Sequence, residues 1–263
     1  MTTPSDARRV AVVTGASAGI GAATARTLAA QGFHVICVAR REAPIEALAA
    51  EIDGTAIVTD VTDATAVAAL AGRLDRVDVL VNNAGGARGL ESVADADVEN
   101  WRWMWEANVL GTLHVTRALL PKLINSGDGL IITVTSVAAV EVYDNGSGYT
   151  TAKHAQGVLH RTLRSELIGK PLRFTEIAPG MVKTDFSLRR FGGDAERAEK
   201  VYEGVTPLVA EDIAEVIGFV ASRPPHVDLD LIVVRPRDQV SGANGPRFNR
   251  SFTNYQRNRR LKN

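Results

Sequence analysis

The sequence of 263 residues has one cysteine, no net charge and only 5% aromatic residues. A lone thiol, Cys37, excludes an intrachain disulfide, so the fold must rest on its apolar core, and a cytoplasmic setting is expected. Thirty basic and thirty acidic side chains cancel, which leaves no overall field to attract nucleic acid or an anionic membrane. No run approaches the roughly 18 apolar residues that cross a bilayer. Residues 1–9 are polar and lack the apolar stretch of a leader, so they read as a flexible start. The five histidines (His34, His114, His154, His160 and His226) show no ligand spacing, and no metal is expected. What the chain does have is 45% apolar residues, enough for a sizeable core.

Those apolar residues come in short β-branched runs at 10–13, 35–39, 55–59, 77–81, 130–134, 173–178 and 229–234. Each reads as a buried strand. Helical patterns of ten or more residues separate most of them, including an amphipathic one over 207–221. Alternation of this kind predicts an α/β protein: one Rossmann-type domain over 1–246, a seven-stranded, mostly parallel sheet with helices on both faces. Residues 183–203 mix charge with aromatics and are expected to form a lid. The stretch 247–263 is basic without an acidic residue and reads as an unanchored tail or a subunit arm.

The polar signatures stand at the strand ends, where ligands of open α/β sheets bind. Thr14-Gly15-Ala16-Ser17-Ala18-Gly19-Ile20-Gly21 follows the first strand and opens a helix. That is the context of a dinucleotide fingerprint, with the spacing Gly-x-x-x-Gly-x-Gly. Gly15 and Gly19 would bring backbone close to a phosphate, Gly21 would let helix pack on strand, and the helix start would offer free N–H groups. The second strand ends in Arg40-Arg41, where an acidic residue would select NAD; two guanidiniums favour the 2′-phosphate of NADP. Asp60-Val61 ends the third strand and suits an adenine ring. Asn82-Asn83-Ala84-Gly85, Thr135-Ser136 and Pro179-Gly180-Met181-Val182 end the next three.

Tyr149 and Lys153 are four residues apart, on one face of a helix expected over 148–167. A free tyrosine keeps its proton to about pH 10, and a neighbouring ammonium would lower that value toward neutrality. Trp101, Trp103 and Trp105 open the helix that carries Asn108 and read as core or subunit contacts. His154 reads as a helix-face residue rather than a second base.

Together these residues resemble the short-chain dehydrogenase/reductase family over nearly the whole chain. The resemblance rests on the glycine turn, Asp60-Val61, Asn82-Asn83-Ala84-Gly85, Asn108, Ser136, Tyr149, Lys153 and Pro179-Gly180. Within the family the sequence is similar to NADP-dependent 3-hydroxy acid (serine) dehydrogenases, through Arg40-Arg41, Thr184-Asp185-Phe186-Ser187, Arg190-Phe191 and 225–234. The resemblance implies Tyr149 as general acid/base, Lys153 as its activator and a ligand of the nicotinamide ribose, Ser136 as a partner of the substrate oxygen, and Asn108 as the holder of a relay water. It implies NADP contacts from Gly15, Ser17, Ala18, Gly19, Ile20 and Gly21, and from Arg40, Arg41, Asp60 and Val61. Asn82, Ala84, Gly85, Tyr149, Lys153, Pro179, Gly180, Val182 and Thr184 would complete them. Arg190, or else Arg189 or Arg88, would meet a substrate carboxylate. Ala18 departs from relatives with a basic residue there. The open alternatives are a reductase of another ketone (sugar, steroid, terpenoid or acyl thioester) and an idle NADP-binding sensor. A dimer or tetramer is expected from the family habit, with a small-molecule substrate and no nucleic-acid or membrane partner.

Overall fold

The computed structural model describes residues 8–239. Its strands are β1 (Val10–Thr14), β2 (His34–Ala39), β3 (Thr55–Val58), β4 (Val79–Asn82), β5 (Gly129–Val134), β6 (Leu172–Pro179) and β7 (Leu231–Val234). They form one sheet in the order β3-β2-β1-β4-β5-β6-β7, and every neighbouring pair is parallel. The chain steps outward from β1 to β3, then returns to place β4 on the other side of β1. This reversal opens a crevice beyond the carboxyl ends of the central strands.

The inner parallel strands are buried on both faces, which explains their unbroken apolar runs, while the edge strands β3 and β7 are partly exposed. Successive residues of β1 show the pleat directly. Ala11 and Val13 join a core layer with Leu28, Ile45, Ile213 and Ile217. Val12 joins the opposite layer with Leu70, Val115, Leu119 and Phe174. The first layer lies under α1 (Gly19–Ala30), α2 (Glu42–Glu51) and a late helix, Ala210–Ala221. The second lies under α3 (Ala64–Gly72), α5 (Gly111–Asn125) and α6 (Ser147–Glu166), while α4 (Val98–Trp105) packs against α6 in a separate small cluster. Each fully buried leucine or isoleucine in these layers contributes roughly 1.5–3 kcal/mol of transfer free energy.

Several boundaries differ from the sequence expectation for polar reasons. The fourth strand starts at Val79, because the Asp78 carboxylate is taken by the Val10 N–H at 2.7 Å and by Arg76 at 2.7 Å. The seventh starts at Leu231, because Asp228 turns back to accept the Phe174 N–H at 2.9 Å. Residues 183–203 contain two short helices, α7 (Asp185–Arg190) and α8 (Ala195–Lys200), and Ala210–Ala221 is then α9. A π-helical turn, Glu106–Leu110, joins α4 to α5. No helix among the described residues is long and apolar enough to cross a membrane. Residues 1–7 and the basic stretch 247–263 lie outside the described residues.

Candidate active site

The crevice begins where Thr14 ends β1. Its hydroxyl donates to the Val81 carbonyl at 3.1 Å and accepts the N–H groups of Asn83 and Ala84, each at 3.0 Å, so the ends of β1 and β4 are tied together. Gly15 and Gly19 have φ of +70° and +53°, a region that favours glycine. A β-carbon on Gly21 would overlap the Gly15 carbonyl. The turn can therefore hug the sheet only with glycine at these places. Ala18 precedes α1 and gives it no side-chain cap, so the first N–H groups of the helix are left for an anion.

A cavity of about 840 Å³ extends from this turn. At one end stand Arg40 and Arg41, and Arg41 donates to the Ser17 carbonyl at 3.1 Å and its hydroxyl at 3.0 Å. Arg40 lies 3.7 Å from Asp60. Ser17, Ala18, Gly19, Ile20, Val61, Ala84, Gly85, Pro179, Gly180, Val182 and Thr184 line the walls. At the far end are Ser136, Tyr149, Lys153 and Arg190, with Arg88 and Arg189 nearby. Two of the expected residues lie off the cavity wall. Asn82 is buried and donates to Thr116 at 2.8 Å, while Asn83 lines the cavity, since adjacent residues at a strand end face opposite ways. Gly21 serves the packing of the turn rather than the lining.

Tyr149 and Lys153 lie on α6 and are 8% and 4% exposed. The helix can approach closely because Gly148 faces Met104 and Trp101, where a β-carbon would intrude. Trp101 and Trp103 pack around Met104 and Tyr149, whereas Trp105 is partly exposed. The Lys153 amine is 5.8 Å from the centre of the Tyr149 ring. It donates to the Val134 carbonyl at 3.2 Å and to the Gln156 side-chain carbonyl at 2.8 Å. Burial pushes the Tyr149 phenol above its ordinary value; the neighbouring Tyr143 adds to this, and the Ser136 hydroxyl and the Arg190 guanidinium pull it back. Burial also lowers Lys153 to about 7, against the pull of Glu176. The sequence pointed to Lys153 as the group that lowers the tyrosine; in the structure Ser136 and Arg190 oppose its rise.

Ser136 stands just past β5, its hydroxyl accepting the Ala138 N–H at 3.1 Å. Arg190, at the end of α7, donates to the Gly89 carbonyl at 2.7 Å and the Tyr143 hydroxyl at 3.3 Å, and the Gly89 N–H returns to the Arg190 carbonyl at 3.1 Å. This clasp holds the lid against the loop after β4. Arg189 pairs with Asp185 at 3.3 Å, and Arg88 stacks on Trp103 at 4.2 Å. Asn108 is fully buried, with its side chain bonded to both backbone groups of Gly86, at 3.1 and 2.9 Å, and to the Met104 carbonyl at 2.7 Å. It braces the loop rather than lining the cavity. The His154 ring is tied to the Thr150 carbonyl at 2.9 Å, on its own helix. Among the described residues no cluster of three or more His, Cys, Asp or Glu could hold a metal.

The sequence reading missed Thr112, Gln156 and Glu176, three buried polar residues around Lys153 and Asn108. Their only signal was polarity on otherwise apolar helix and strand faces.

A family model for short chain dehydrogenases matches residues 9–192. The chain belongs to the short-chain dehydrogenase family. It is thus an oxidoreductase, and the cradle of Gly15, Gly19, Gly21 and the uncapped α1 start fits the family's nucleotide cofactor. An uncharacterized oxidoreductase of Mycobacterium tuberculosis is 74% identical over 243 residues, spanning 92% of this dehydrogenase and 97% of that protein. Serine 3-dehydrogenase of Agrobacterium fabrum is 39% identical over 234 residues, spanning 87% and 94% respectively. Among solved structures, the closed form of serine dehydrogenase complexed with NADP+ superposes with a TM-score of 0.84 at 33% identity, covering 90% of this short-chain dehydrogenase and 98% of that chain.

Proposed function

We propose that the protein is an NADP-dependent oxidoreductase that moves a hydride between NADP(H) and a small, serine-like 3-hydroxy acid or its keto form. The observation that carries the substrate class is the position of Arg190, whose guanidinium carbon lies 5.7 Å from the Tyr149 ring inside the shared cavity. A fixed cation at that range suits a carboxylate one or two carbons away from the reacting oxygen. The serine dehydrogenase relatives support the same class.

When bound, the nicotinamide supplies or accepts the hydride. The chain's own residues do the rest. Arg40, Arg41 and Ser17 hold the 2′-phosphate, and Asp60 and Val61 flank the adenine. Gly15 with the start of α1 meets the pyrophosphate, while Ala84, Gly85, Pro179, Gly180, Val182 and Thr184 enclose the nicotinamide half. Ser136 donates to the substrate oxygen and steadies its growing charge. Tyr149, whose phenol holds its proton more tightly for being buried, gives that proton to the oxygen in reduction, and in oxidation its phenolate form takes the proton of the alcohol. Lys153 binds the ribose hydroxyls, and Asn108 keeps the Gly85-Gly86 backbone in register for the cofactor. The enzyme works as a cytoplasmic dimer or tetramer.

A panel of 3-hydroxy acids and uncharged secondary alcohols, assayed with NADP+ and NAD+, tests the proposal. Turnover of the acids with NADP+ supports it; turnover of bulky neutral alcohols alone refutes the substrate class.

A further inference from the structure

Lys153 does not sit free in the site. Its amine is 2.8 Å from the Gln156 carbonyl oxygen, the Gln156 amide nitrogen donates to the Thr112 hydroxyl at 2.8 Å, and that hydroxyl donates to the Asn108 backbone carbonyl at 2.8 Å. Lys153, Gln156, Thr112 and Asn108 are all buried, at 4%, 0%, 4% and 0% exposure. We infer that Gln156, locked in orientation by Thr112, is a positioning residue that holds the Lys153 amine as a hydrogen-bond donor and sets the alkaline limit of the enzyme's working range.

The direction of every bond in this chain is forced. A backbone carbonyl only accepts, so the Thr112 proton must point at Asn108. The Thr112 oxygen is then open to a donor, which fixes the Gln156 amide with its nitrogen toward Thr112. The Gln156 oxygen is left facing Lys153, where only a donor can meet it. A flipped amide would set N–H groups against the amine and leave the buried Thr112 without its donor, which is costly.

The surroundings of Lys153 make this acceptor decisive. From α6 it is faced by the Tyr149 ring, from β5 by the neutral Val134 carbonyl, and from the loop after β4 by the neutral Gly85. Among the described residues the charged side chain that acts on it is Glu176 of β6, whose carboxylate is already shared between Thr135 at 2.9 Å and Arg161 at 2.9 Å. Arg190 faces Tyr149 from the lid. With its counter-charge engaged elsewhere, the ammonium has Gln156 and Val134 as its direct partners within the described protein.

The inference rests on the proposed role of Lys153, and the test separates the two. Rate is measured against pH in the direction of carbonyl reduction for the parent, Gln156→Leu, Gln156→Glu and Thr112→Val, with NADPH binding as the check on folding. A hydrogen bond to a charged group is worth one to two pH units on the group it serves, so Gln156→Leu should draw the alkaline limb down by about that much. Gln156→Glu should push it up, and Thr112→Val should lower it by less than Gln156→Leu. Should the leucine variant not fold, the opposite shifts of the other two decide. A limb that stays in place in the folded variants, or that moves the same way with Leu and Glu, overturns the inference. Lys153→Met is the control for the underlying reading: parental turnover there removes the role of Lys153 itself, whereas loss of turnover with unmoved limbs at Gln156 removes only the positioning role.

Discussion

The Arg190 guanidinium carbon and the Lys153 amine stand almost equally far from the centre of the Tyr149 ring, at 5.7 and 5.8 Å. One comes from the lid helix α7 and the other from α6 itself. They are not equivalent partners. Arginine keeps its charge at any working pH, whereas Lys153 is brought to about 7 by burial. The proton affinity of the phenol is thus pulled down by the fixed charge of Arg190 from the lid, while Lys153 beside it is itself neutralised by burial near pH 7.

Arg190→Met should separate acid substrates from neutral ones. Loss of a charge-assisted bond to a carboxylate costs roughly 1.5–3 kcal/mol, a fall of about ten- to a hundredfold in kcat/KM. An uncharged alcohol should lose much less. Equal losses on both would place Arg190 in lid closure, through Gly89 and Tyr143, rather than in substrate recognition.

At the other end of the cavity, Arg41 is anchored on Ser17 and Arg40 lies near Asp60. Arg41→Ala should raise the KM for NADPH about tenfold and leave that for NADH nearly unchanged, since only NADPH carries the 2′-phosphate. Parallel changes for both cofactors would mean that Arg41 acts by shaping the turn.

His160 gives a stability prediction. It is buried against Phe174, with Nδ1 on the Thr133 hydroxyl at 2.9 Å, Nε2 without a partner among the described residues, and its proton affinity lowered by burial to about 4. Its unfolded value is near 6.5. The unfolded chain therefore binds more protons between those values, so the folded state loses stability as pH falls from about 6.5 to about 4. The full loss is roughly 3 kcal/mol. Denaturant unfolding at pH 7 and pH 4.5 should show a smaller pH effect in His160→Asn than in the parent. The same effect in both would assign the acid sensitivity to other groups.

Gly85 offers a steric test of the loop that Asn108 braces. A β-carbon there would overlap the Asn108 side-chain oxygen. Gly85→Ala should lower stability by about 1–3 kcal/mol, as an overpacked site does. Cofactor binding should weaken with it, and calorimetry of NADPH binding beside thermal unfolding measures both.

The sheet was legible because parallel strands must be apolar on both faces, and the runs from Val10 to Val234 carry that mark. Their ends were less legible. Asp78 and Asp228 look like strand-adjacent polar residues until their carboxylates are seen to accept backbone N–H groups from other strands. That Asn83 lines the cavity while Asn82 is buried has a similar origin: adjacent residues at a strand end face opposite ways. The π-helical turn at Asn108 leaves no trace in the apolar period, which continues through it. The Lys153–Gln156–Thr112–Asn108 chain was invisible because its members meet only when α5 and α6 pack together. Arg190 was readable as a candidate, but its distance from Tyr149 is set by the lid clasp, which no local pattern encodes.

The central claim is that Tyr149 is the acid/base for a small 3-hydroxy acid. The most direct measurement is NADP+-linked oxidation of L-serine and related 3-hydroxy acids by the parent and by Tyr149→Phe, with NADPH binding followed by fluorescence. The account predicts that the phenylalanine variant binds NADPH nearly as the parent does and turns over no substrate. Turnover at the parental rate in that variant would contradict it.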